Sequence, residues 1–173
     1  MLVLNWANGR SILSVNPILA SGSRAPAFTL PSSDGGKLRL TEHRGRWVIL
    51  HFYVKDNTRF CARALAGFSK LNDEFEKERA VVFAIGPCNQ KSHTQFAKKC
   101  SVPFPLLSDH DNRIAHKYGV WREKKGDGRE YLGIVRSTLI LDPVGNVVRV
   151  FDNVRLKGHP EKVLTALRAE LAK

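Results

Sequence analysis

Residues 47–53 (Trp-Val-Ile-Leu-His-Phe-Tyr) are almost unbroken in apolar, β-prone character, which predicts a strand buried on both faces. Residues 81–86 repeat the pattern, and a shorter apolar stretch at 105–108 predicts a brief third strand. Two pairs of short apolar runs flank turn-forming residues and predict hairpins. One pairs 27–30 with 37–40 around Ser32-Ser-Asp-Gly-Gly36, and the other pairs 138–142 with 147–151 around Pro143-Val-Gly-Asn146. Helical stretches fall between them: Cys61 to about Arg79, Gln90 to Cys100 ahead of Pro103, and 112–118. His159-Pro160 opens a last helix, with Val163, Leu164, Leu167 and Leu171 on one face. Strands alternating with helices predict an α/β domain with a mixed central sheet over residues 22–173.

Residues 1–21 stand apart. No Asp or Glu precedes Asp34, and Asn5, Asn8, Gly9 and Arg10 interrupt the apolar core that a secretory signal needs. The composition faintly resembles an organelle transit peptide, but a poorly ordered N-terminal extension is the expectation. The chain as a whole, 173 residues with 43% hydrophobic and 25% charged, has the balance of a globular protein with one core. No apolar run approaches the ~20 residues of a membrane-spanning helix, so no membrane partner is expected. The net charge of +12 is spread over small groups such as Arg44-Gly-Arg46, Lys98-Lys99 and Arg122-Glu-Lys-Lys125. No long basic run interleaves with aromatics, which argues against specific nucleic-acid recognition. Three cysteines make no disulfide framework and fit a reducing, cytoplasmic setting.

The candidate chemistry sits between the first long strand and the first helix. Cys61 follows a short polar loop and falls in the first turn of the predicted helix. There the unpaired backbone N–H groups and the positive end of the helix dipole favour a thiolate, the nucleophilic form of cysteine. Thr58, three residues earlier, supplies a hydroxyl able to bond the sulfur or an atom that it attacks. Six histidines (His43, His51, His93, His110, His116, His159) show no recognised metal-ligand spacing, and no metal or cofactor is expected. Gly126 and Gly128, around Asp127, form a turn and match no phosphate-binding pattern.

Several ordered segments together resemble the peroxiredoxins, most closely their Q-type, bacterioferritin-comigratory branch. They are Ala25-Pro-Ala-Phe-Thr-Leu30, Phe52-Tyr-Val-Lys-Asp-Asn-Thr-Arg-Phe-Cys61, Lys91-Ser-His93, Pro103-Phe-Pro-Leu-Leu-Ser-Asp109, Tyr118-Gly-Val-Trp121, Gly133-Ile-Val-Arg-Ser-Thr138 and Lys157-Gly-His159. The resemblance covers residues 22–171. It implies a thioredoxin-like fold with an N-terminal β-hairpin, and thiol-dependent reduction of hydrogen peroxide and organic hydroperoxides. It also implies a site built from Cys61 as nucleophile, Thr58 as orienting hydroxyl and Arg136 as the cation that stabilises thiolate and peroxide.

Two departures from the family pattern stand out. Val54 occupies the position of the motif's proline, and Arg59-Phe60 replaces the usual Pro-Gly. In the family, a resolving cysteine stands five or 36 residues after the reactive one, and here those positions hold Ala66 and Ala97. Cys88 and Cys100 remain as other internal partners. The resemblance therefore implies a one-cysteine enzyme reduced by an external thiol (thioredoxin, glutaredoxin or glutathione), as a monomer or weak homodimer. The alternative is a thioredoxin-fold binding or regulatory protein with weak or lost peroxidase activity.

Overall fold

The structure is a computed structural model that describes residues 16–173. A hairpin of β1 (Thr29–Pro31) and β2 (Lys37–Arg39) leads through a 3-10 turn, Leu40–His43, into β3 (Trp47–Phe52). Strand alternation in β3 then sets the layers. Val48, Leu50 and Phe52 face one core, while Ile49, and Tyr53 just past the strand, face the other.

After β3 come α1 (Arg59–Lys70), α2 (Asn72–Lys77), β4 (Ala80–Gly86), α3 (Gln90–Cys100), β5 (Leu106–Ser108) and α4 (Arg113–Lys117). A second hairpin, β6 (Trp121–Gly126) and β7 (Arg129–Ile134), precedes β8 (Ser137–Leu141), β9 (Val147–Phe151) and α5 (His159–Leu171). The central sheet runs β5-β4-β3-β8-β9, with β4 parallel to β3 and β8 antiparallel to it. Helices α1, α3 and α5 cover the Ile49 face through Leu65, Phe68, Phe96, Val163 and Leu167. The first hairpin and α4 cover the opposite face through Phe28, Leu30 and Ile114. This is the expected mixed sheet of a thioredoxin-like fold, with its N-terminal hairpin.

Three expectations need correction. The helix expected from Cys61 to Arg79 is two helices broken at Leu71, and the first begins at Arg59. The segment around Asp127 is more than a turn, because charged residues on both sides pair as β6 and β7. Of the expected extension, residues 1–15 lie outside the described residues. Residues 16–21 run along the body, where Leu19 N–H donates to the Tyr118 carbonyl (3.2 Å) and Ser21 to the Val148 carbonyl (2.5 Å).

Two polar clusters are buried on the face that α1, α3 and α5 cover. In the first, Thr138 Oγ1 bridges His51 Nδ1 (2.9 Å) and His159 Nε2 (2.8 Å), tying β3, β8 and α5 together. His51 Nε2 has no partner among the described residues. Burial, then the neighbouring His159 and Arg136, push the His51 pKa down to about 3. Burial, then Lys162, bring His159 down to about 4, against a smaller opposing effect of Glu161.

In the second cluster the Asp56 carboxylate, 3% exposed, gathers donors from two elements. The Tyr53 hydroxyl donates to it at 2.7 Å, Ser92 Oγ at 2.7 Å and His93 Nδ1 at 2.8 Å. Burial alone would raise the Asp56 pKa, but the bonds from His93, Ser92 and Tyr53 outweigh it and hold the group below the usual carboxylate range. Burial, then Asp56, push the Tyr53 phenol well above its ordinary range, so it stays a donor. Its ring lies flat against Gly86, where an added Cβ would stand 2.8 Å from Tyr53 Cζ. The cluster fixes residues 53–56, at the start of the loop that carries Cys61, onto α3.

Both clusters yield predictions. Because His51 and His159 are neutral when folded, the unfolded chain takes up their protons first on acidification. Their stability contribution is complete above about pH 6.5 and is lost as the pH falls toward their folded values, by about 1.4 kcal/mol per pH unit for each group. The urea midpoint should therefore drop between pH 7 and pH 5, and His51→Phe should flatten that slope. Asp56→Ala leaves buried donors without an acceptor and should cost about 3–5 kcal/mol in urea unfolding, against about 1 kcal/mol for Ser92→Ala.

Candidate active site

Cys61 is the third residue of α1, and Thr58 is the residue that caps the helix. Thr58 has extended backbone angles, and its Oγ1 accepts the Cys61 N–H at 3.2 Å, satisfying one of the free donors of the first turn. The same hydroxyl donates to the Lys55 carbonyl at 3.4 Å. The sequence pairing of Thr58 with Cys61 is thus a backbone cap here, with the hydroxyl beside the turn that holds the sulfur. Cys61 is 2% exposed and packs with Tyr53, Leu65 and Phe68.

The loop turns at Asn57, whose φ of +58° lies in the left-handed region that Asn tolerates better than most residues. Phe60 stands where the family pattern allows a glycine, but it lies inside α1 and needs no positive φ. Its ring is 60% exposed and serves as a platform for Arg136, whose guanidinium carbon stands 5.9 Å from the ring centre.

Arg136 immediately precedes β8, whose Thr138 pairs with His51 of β3. By alternation Arg136 shares the Thr138 face, the one covered by α1. It is half-buried and makes no ion pair among the described residues. The topology therefore brings Cys61, Thr58 and Arg136 to one end of the sheet. Thr58 and Cys61 meet through a hydrogen bond, and Arg136 joins them over Phe60.

Lys124 of β6 is a neighbour that the sequence reading missed. It lines the same pocket as Arg136, and its pKa is lowered by burial and by Arg136 and raised by Cys61. The Asp127-Gly128 pair, with φ of +50° and +73°, was the available signal, because it marks a tight hairpin turn that folds β6 back over the site.

The other two cysteines are unpaired. Cys88 Sγ accepts the Asp56 N–H at 3.4 Å, and burial raises its pKa despite that bond. Burial likewise raises Cys100, with Lys99 partly offsetting it. Both are held as thiols, the less nucleophilic form. Among the described residues, no group of His, Cys, Asp and Glu has the arrangement of a metal site, and no helix is long and apolar enough to cross a membrane.

Comparison with known proteins gives the same picture. Residues 21–150 match the AhpC/TSA family. A putative peroxiredoxin bcp of Helicobacter pylori strain J99 is 42% identical over 149 residues, covering 86% of this chain and 98% of that protein. Peroxiredoxin Bcp of Escherichia coli K12 is 35% identical over 154 residues, covering 89% and 98%. Among solved structures, peroxiredoxin Q of Xanthomonas campestris superposes with a TM-score of 0.79 at 37% identity, covering 82% of this chain and 90% of that one. On the matched segment, the sheet topology and the curated relatives together, the chain belongs to the AhpC/TSA family and is a thiol-dependent peroxidase of the peroxiredoxin Q type.

Proposed function

We propose that Cys61 is the thiol that reacts with peroxide, that Thr58 and Arg136 complete the site, and that an external thiol recycles it. The observation that carries this reading is the position of Cys61 in the capped first turn of α1, on the sheet face that it shares with Arg136. The helix end and the guanidinium both favour an anion at the sulfur. The thiolate attacks one peroxide oxygen, an S–O bond forms and the O–O bond breaks. The sulfur is oxidised by two electrons to the sulfenic acid, and the departing hydroxide or alkoxide takes up a proton. Arg136 offers forked donors for the charge that develops on the oxygens.

Recycling by thioredoxin, glutaredoxin or glutathione is supported by the raised pKa values of Cys88 and Cys100 and by Ala66 and Ala97. The first thiol displaces water from the sulfenic acid to give a mixed disulfide, and a second releases the Cys61 thiol. Three free thiols fit a reducing, cytoplasmic environment. The exposed apolar side chains Phe60, Tyr131, Val144 and Leu171 are scattered along the chain, which supports a monomer or weak homodimer.

Cys61→Ser should abolish peroxide turnover, because a serine hydroxyl cannot supply the anion; substantial residual activity overturns the assignment. Arg136→Lys should slow the second-order reaction with peroxide by about an order of magnitude, since a point charge replaces a fork. A rate within twofold of wild type counts against a role for Arg136. Replacing Cys88 and Cys100 together by Ser should leave turnover in saturating external thiol unchanged. Intact mass after one equivalent of peroxide should show one added oxygen, and an internal disulfide there would overturn the one-cysteine reading.

A further inference from the structure

Four cations line one pocket, Arg122, Lys124, Lys125 and Arg136, and two of them, Lys124 and Arg136, have no carboxylate partner among the described residues. Lys124 and Arg136 both line it, together with Val135, Asp152 and Asn153. Asp152 is already committed, accepting from Arg122 Nη1 at 3.0 Å and from Ser137 Oγ at 3.2 Å. Lys125, at the edge, pairs with Glu130 at 3.4 Å, and Glu123 is exposed at the rim. Lys124 Nζ donates to the Ile134 carbonyl at 3.0 Å and lies 5.8 Å from the Tyr131 ring centre. Those contacts fix the ammonium and leave two of its three donors free. Neither Lys124 nor Arg136 forms an ion pair among the described residues. Burial is the main cause of the lowered Lys124 pKa; Arg136 lowers it further and Cys61 opposes it, which agrees with a common electrostatic neighbourhood.

Two like charges held together in a half-buried pocket repel each other. An anion placed between them removes that repulsion and takes up charge-assisted hydrogen bonds. We propose that Lys124 and Arg136 form an anion subsite on the Phe60 side of Cys61, which holds the carboxylate of a small acidic molecule that reacts at Cys61. This rests on Cys61 being the reacting thiol. The carboxylate comes either from an acidic hydroperoxide in the oxidising step or from an acidic thiol in the reducing step. Lys124 is a specificity-determining residue in both cases, because it binds a group remote from the reacting oxygen or sulfur.

The test uses the full chain and matched pairs of probes. A short carboxylic acid bearing a hydroperoxide is compared with its methyl ester, and glutathione with its diethyl ester, in wild type, Lys124→Met and Lys124→Arg. Lys124→Met should shrink the acid-to-ester ratio of second-order rates about five- to tenfold, and Lys124→Arg should restore most of it. A change in the hydroperoxide pair assigns the subsite to the oxidising substrate, and a change in the thiol pair assigns it to the reductant. Ratios unchanged in both pairs overturn the proposal.

Binding is read apart from chemistry in Cys61→Ser, by NMR titration with the hydroxy acid left after reduction of the acidic hydroperoxide. Shifts centred on β6 and β7 that vanish when Lys124→Met is added support the subsite even if Cys61 proves unreactive. Their absence counts against it. Failure of wild-type Cys61 to take up oxygen from hydrogen peroxide would instead strike at the assignment of Cys61.

Discussion

Asp56 carries a carboxylate into the interior, and the interior answers it with donors from different parts of the chain. Tyr53 comes from the end of β3, and Ser92 and His93 come from the first turn of α3. A buried carboxylate cannot be left unpaired without a cost of several kcal/mol, so these donors and the acceptor must arrive together. Residues 53–56 are therefore fixed before the chain turns at Asn57 and enters α1. Cys61 inherits its position from that constraint. Cys88 belongs to the same arrangement, because its sulfur accepts the Asp56 N–H.

The two buried histidine clusters lie on one side of the sheet. His51, Thr138 and His159, like Tyr53, Asp56 and His93, lie on the sheet face that α1 and α5 or α3 cover. The opposite face, under the first hairpin and α4, is a large apolar cluster, beside which the buried Asp109 accepts the Ile114 and Ala115 N–H groups of α4. Side chains of that cluster supply burial with little polar cost. On the reactive side each polar group has to be satisfied by another, which ties strands to helices at fixed points and holds the end of the sheet where the site stands.

Much of this was legible in the sequence, for reasons that also explain the gaps. The runs at 47–53 and 81–86 are buried on both faces, so their apolar character is unbroken and reveals them as β3 and β4. Strands β6 and β7 carry Arg, Glu and Lys, and their pairing is driven by the Asp127-Gly128 turn, so an apolar pattern could not find them. The break at Leu71 has no Gly or Pro to announce it. Thr58 and Cys61 stood out because a hydroxyl three residues ahead of a cysteine at a helix start is a local spacing, which the structure uses as a backbone cap. Asp56 and His93 meet across 37 residues, and Lys124 and Arg136 across a hairpin; no local spacing rule reaches either pair.

The Asp56 cluster also bears on how oxidised Cys61 is reduced. The Cys88 sulfur accepts the Asp56 N–H, so drawing it into an internal disulfide with Cys61 would disturb the Asp56 cluster. Breaking a buried charged cluster costs about 3–5 kcal/mol, which lowers the open population by roughly two to four orders of magnitude. Access from outside asks for less. Arg59 and Phe60 are exposed, and the first turn of α1 is held by the Thr58 cap, worth about 1 kcal/mol, and by the packing of Cys61. In the proposed recycling by an external thiol, the approach past Phe60 loosens that turn and leaves Asp56 and its donors in place. The interaction that fixes the loop before α1 thus agrees with the proposal that the reductant of Cys61 comes from outside.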